Sequence, residues 1–242
     1  TLQLSRGSNN AGNFTVAQDA TLLMSAGTHT FTLGAGESIS GEGRVLFSGG
    51  STTIGGDGDY LINSGTGITE VTGGTANFEL DASSTTLIQS GGSMIGNGTF
   101  STDTFTWTGG IHGSSSANTG VTEVSTTLTM SGGTRTLHQR AINIAPTATA
   151  TWSAGTINSG FGGVIHNMAG ATFNITGNNI FATNQGGADA LLDNDGTLTK
   201  LTGTGDTNIN VQFSSASPVN IETGTLQLSR GSNNAGNFTV AQ

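Results

Sequence analysis

The chain of 242 residues has no cysteine, only 2 prolines, and charged side chains at just 9% of positions. Without cysteine there are no disulfides and no thiolate metal sites, which suits a long secreted chain that must avoid wrong crosslinks. Lysine occurs once, and Glu and Leu are also scarce, so long helices are excluded on composition. No apolar run is long enough to cross a bilayer. The cations are five Arg and one Lys against 15 acidic residues, a net charge of −9. That balance argues against a nucleic-acid partner, which needs a basic surface. No signal peptide is visible, and a window taken from within a repeating array would not contain one.

What the chain has instead is glycine, 40 residues of it, set among Thr, Ser and Asn, and a repeat. Residues 1–18 read TLQLSRGSNNAGNFTVAQ, and residues 225–242 read the same without a difference, an offset of 224 residues. The match suggests a window on a tandem array: residues 1–224 are one unit and 225–242 begin the next. No linker or composition shift interrupts the chain, so residues 1–242 read as one continuous domain.

A shorter motif lies inside the long one. Its first residues are Thr1, Thr21, Arg44, Ile68, Thr86, Thr104, Thr127, Thr149, Thr172 and Leu198, and it returns at Thr225 after steps of 18 to 27 residues. The fourth position holds Leu4, Met24, Phe47, Val71, Gln89, Trp107, Met130, Trp152, Ile175 and Leu201. The second holds Leu2, Leu22, Val45, Thr69, Leu87, Phe105, Leu128, Ala150, Phe173 and Thr199. Apolar residues two apart, with Thr or polar residues between, mark a strand with one buried face. Glycine pairs follow, suited to turns. Further strands are expected at 14–16, 29–33, 59–62 and 76–80, a polar turn at 113–120, and Pro146 in a turn, because it cannot donate to a ladder.

A unit of about 22 residues is too short for a βαβ crossover and suggests one coil of a parallel β-helix. Ten coils per 224 residues would rise about 48 Å at a strand spacing of roughly 4.8 Å. The alternation, with Trp and Phe inward, argues against disorder.

Residues 104–110, 148–155, 167–176, 195–204 and 224–231 carry TxTWxGG and GTLxLSxG units. In these the chain resembles the repeat regions of giant bacterial surface proteins, filamentous-haemagglutinin-like and autotransporter-like adhesins. The resemblance implies a right-handed parallel β-helix, secretion to the cell surface, and an extended stalk, fibre or matrix filament. It supplies no catalytic residue and no cofactor.

Candidate chemistry is sparse. Asp189, Asp193 and Asp195, with Asp206 further on and Lys200 nearby, form the best acidic cluster. They are candidates for Ca2+ or, in a β-helical polysaccharide lyase or hydrolase, for acid–base work; turn chemistry accounts for them as well. Asp57 and Asp59 lie in GGDGDYLI, near the calcium nonapeptide, but the aspartate is one residue early and there is one copy. His29, His112, His138 and His166 lack zinc-site spacing and are expected on exposed strand surfaces. Trp107 and Trp152 fall at inward positions and read as core. The outward Thr column reads as β-propensity, with Arg44, Ile68 and Leu198 interrupting it. The expected partners are further copies of the repeat stacked end to end. A glycan-binding adhesin module, engaging cell-surface glycans through a protruding loop, is the alternative.

Overall fold

The computed structural model describes residues 1–116 and 119–241. Residues 117 and 118 of the expected turn at 113–120 lie outside the described residues. The described residues contain strands and turns and no helix. The 31 strands wind around three faces, and every pairing between successive coils is parallel. The second face alone holds 11 strands, so the chain is a β-solenoid of about 11 turns.

The first face starts with Leu2–Leu4, Thr21–Met24, Arg44–Phe47 and Ile68–Val71, in register position for position. The second starts with Ser8–Asn10, Thr28–Leu33 and Ser51–Gly56. The third starts with Phe14–Val16, Ser38–Gly41 and Asp59–Ile62. In mid-chain three long strands, Ala82–Gln89, Thr99–Trp107 and Val121–Met130, run from the third face into the first without a break. The two shortest coils, 68–86 and 86–104, close through the first two of these strands, where the corner needs no turn residues.

Alternation builds the core. Along the first face Met24, Phe47, Val71, Gln89, Trp107, Met130, Trp152 and Ile175 stack in one inward column, all buried. Leu22, Val45, Leu87, Phe105, Leu128 and Phe173 form the parallel column beside it. Each large apolar side chain so buried contributes about 1.5–3 kcal/mol. Thr69, an apparent break in the apolar pattern, is buried and meets the Tyr60 hydroxyl at 2.8 Å. The corner after the first face is a glycine column. Gly50 has φ +70, and a Cβ there would lie 2.1 Å from the Gly27 carbonyl oxygen; Gly74, at φ +63, meets Gly50 in the same way. No other residue lets coils approach this closely.

Five expectations change. Leu201 is not core: it is 38% exposed, and Lys200 occupies the column, paired with Ile175 on one side and Ile221 on the other. The strand runs Thr197–Lys200, one residue ahead of the apolar frame, because its inward residues are Leu198 and Lys200. Thr86, Thr104, Thr127, Thr149, Thr172 and Thr197 therefore form an unbroken outer column that Leu198 does not interrupt. Leu2 and Leu4 point inward by register, but their strand is paired only with Thr21–Met24, and Leu2 is 54% exposed and Leu4 half-buried. Three of the four histidines are inside the solenoid: His29, His112 and His138 are buried, and His166 is half-exposed. Finally, Val219–Ile221 forms an extra first-face strand on Thr197–Lys200. The 224-residue unit is thus ten turns plus one further strand, rather than ten.

Of the further strands expected, the one at 76–80 is displaced to Thr75–Phe78 and the others stand close to where the sequence places them. Strands stand at Phe14–Val16, Thr28–Leu33, Asp59–Ile62 and Thr75–Phe78, and Pro146 lies in a turn.

Candidate functional site

Three features stand out from the regular scaffold: the end coils, a set of cations in the core, and a surface group around the aspartates.

Inward-facing residues are exposed at the first and last coils. At the first coil Leu2, Phe14, Val16 and Leu22 line a shallow apolar hollow of about 120 Å3. At the last coil Phe238 is 43% and Val240 68% exposed, although their register makes both inward-facing. The strands of both end coils are paired on one side only.

The interior cations were not legible from periodicity, which reads a charge as outward. Arg140 is fully buried. Its guanidinium donates to the carbonyls of Gly96 (3.1 Å), Gly98 (3.1 Å) and Val121 (2.7 Å) and to the Thr122 hydroxyl (2.9 Å). Arg135, also buried, donates to Ser131 and Ala154 carbonyls and lies over the Trp107 ring at 5.7 Å. Burial pushes both guanidiniums down to about 10, so both stay charged at neutral pH. Lys200 donates to the Gly177 and Thr202 carbonyls (3.3 and 3.4 Å) and to Thr207 Oγ1 (3.2 Å). Its ammonium is held below the usual lysine value by burial, with Asp206 pulling the other way. None of the three is in an ion pair among the described residues; backbone carbonyls left over at coil corners solvate them. His112 completes this interior, its Nδ1 2.8 Å from Gln89 Oε1 and its Nε2 2.9 Å from Thr122 Oγ1. Burial first, and Arg140 second, drive its pKa well below the ordinary histidine value. Further along, Asn167 donates to Asn194 at 2.7 Å and Asn194 to Ser215 at 2.9 Å, an internal amide stack.

The acidic cluster divides. Asp193 projects outward from Leu191–Asn194, and Asp195 follows in the turn. Their carboxylates lie 3.8 and 3.1 Å from His166 Nε2, one coil earlier. The three could offer ligand atoms within 4.8 Å of one another, and among the described residues no other such group of three occurs. An imidazole with two carboxylates is a donor set for a transition ion, whereas Ca2+ takes six to eight oxygens. Asp189 is engaged elsewhere, held by Arg230 at 2.7 and 2.9 Å. These two line a surface hollow of about 590 Å3 with Gln212, Ser214 and Asn233. Asp57 sits in the turn after Ser51–Gly56, and Asp59 opens the next strand, exposed. Glu70 pairs with Arg44 on the first face.

Comparison of the chain with family models, curated proteins and solved structures gives no match.

Proposed function

We propose that this chain is a building block of a long extracellular bacterial fibre, stalk or matrix filament made of tandem β-helical units. In this reading it holds something at a distance or joins cells, and it performs no catalysis. The observation that carries it is the repeated sequence, whose second copy adds its strands to the same parallel stack. Residues 225–242 restart the unit, and their strands pair in register with Asp206–Asn210, Gln212–Ser215 and Val219–Ile221. Kinship with filamentous-haemagglutinin-like or autotransporter-like adhesins, and a place at the cell surface, belong to the same proposal.

The test is the intact mass of the native polypeptide. The expected value contains several increments of about 22 kDa, one per 224-residue period. A native mass near 24.2 kDa would overturn the array.

A second reading, a glycan-binding module, is favoured by the hollow beside Asp189 and Arg230, where Gln212, Ser214 and Asn233 could meet sugar hydroxyls and Leu191 and Phe213 a sugar's apolar face. It predicts saturable binding on a glycan array, lost in Asp189→Ala.

A further inference from the structure

The repeated eighteen residues fold twice into the same three strands, but on different faces. The first copy forms Leu2–Leu4, Ser8–Asn10 and Phe14–Val16 on the first, second and third faces. The second copy forms Thr225–Leu228, Ser232–Asn234 and Phe238–Val240. These pair with Asp206–Asn210, Gln212–Ser215 and Val219–Ile221, which lie on the second, third and first faces. Every strand of the copy has advanced by one face.

The cause is a count. Before Thr225 the chain makes 28 strands, and three of them bend across two faces. That gives 31 passages over a face, or ten turns of three with one left over. The leftover is the strand Val219–Ile221. The junction it creates is well matched. Leu228 stacks on Ile209, Phe238 on Val219 and Val240 on Ile221, apolar on apolar, with Leu226 over the buried Thr207.

We propose that the coil formed by Asp206–Asn210, Gln212–Ser215 and Val219–Ile221 is the docking surface for the next unit of the same sequence, whose first strands are those of residues 225–240, and that each unit enters the rod turned by one face relative to the unit before it. This rests on the tandem-array reading. A unit's own contacts run between its successive coils, so turning it as a whole leaves them unchanged. Only the junction is new, and it is the junction formed by residues 206–240. Three units complete 31 turns and return to the starting face, since three leftover strands make one turn. The group of His166, Asp193 and Asp195 then points to each of three directions in succession along the fibre, so the fibre has no unique side.

The absence of cysteine makes the register directly testable in this chain by paired substitutions. Asn208 and Gln227 are outward neighbours on the second face. In N208C/Q227C, mild oxidation should close a disulfide in most molecules, read by non-reducing electrophoresis and peptide mass spectrometry. In T199C/Q227C, which would be neighbours if the copy resumed the first face on Thr197–Lys200, closure should be lost. T106C/T129C, an outward pair in mid-stack, is the control and should close. Closure of T199C/Q227C alone, or failure of both end pairs while the control closes, overturns the offset. The native mass measurement decides the array separately. A single-unit mass with N208C/Q227C closed removes the fibre and leaves the offset. A multi-unit mass with T199C/Q227C closed keeps the fibre and removes the offset.

Discussion

At the scale of single residues, the unusual feature is positive charge solvated by backbone. Arg140 satisfies carbonyls of two neighbouring coils that no apolar side chain could reach. Arg140→Ala should therefore lower stability by about 3 kcal/mol or more, because it strips a donor from several buried acceptors at once. Arg44→Ala, which removes a partly exposed ion pair, should stay within about 1 kcal/mol. Urea unfolding of the two variants separates these outcomes. His112 adds a pH dependence. Its folded pKa lies well below its unfolded value near 6.5, so the unfolded chain binds more protons in the window between the two. Its contribution to stability is complete above about pH 6.5 and is lost as pH falls toward the folded value, with a slope of about 1.4 kcal/mol per unit. His138, also lowered by burial, adds to the same loss. A His112→Gln variant should show a flatter acid limb in denaturation midpoints taken from pH 7 to 5.

At the scale of the strand, the structure turns on register. Trp107→Asp, fully inward, should abolish cooperative unfolding, since it buries an unpaired carboxylate in the largest core site. Leu201→Asp should change stability by no more than about 0.5 kcal/mol, because the strand ends one residue earlier. Thermal unfolding followed by circular dichroism distinguishes the frames: equal effects of the two substitutions would restore Leu201 to the core. This contrast also marks what the sequence could and could not disclose. The solenoid, its inward columns at Met24, Phe47 and Trp152, and the turn at Pro146 follow from a period of two and glycine punctuation. Those signals are local and need no knowledge of the neighbouring coil. Lys200, Arg135 and His112 were illegible because the hydrophobic rule assigns polar residues outward. Their inward placement depends on carbonyls contributed by other coils, which no local pattern encodes. Val219–Ile221 escaped for a related reason: PVNIE is short, is entered through Pro218, and lacks the glycine pair that announces its fellows. Of the surface aspartates, proximity in sequence grouped Asp189 with Asp193 and Asp195, whereas the stack gave Asp189 to Arg230 and brought His166 from 27 residues before Asp193.

At the scale of the whole molecule, the proposed array would place a further coil over the last one. Val240→Asp should be nearly silent in the 242-residue chain, where the residue is 68% exposed. In a chain lengthened by one more unit, where a following coil would cover it, the same change should cost about 2 kcal/mol or more. Differential scanning calorimetry of the two lengths supplies the comparison, and a silent substitution in both would mean that the stack does not continue through the last coil. The parallel ladders have a further mechanical meaning. Their hydrogen bonds lie along the long axis, so a pull between the two ends strains them head-on and one coil at a time, instead of shearing many together. Each coil that peels away surrenders about 4.8 Å of rod and releases about 22 residues, roughly 75 Å of slack chain. Under tension such a rod would yield in small steps, dissipating a sudden load over many coils before the covalent backbone is drawn taut.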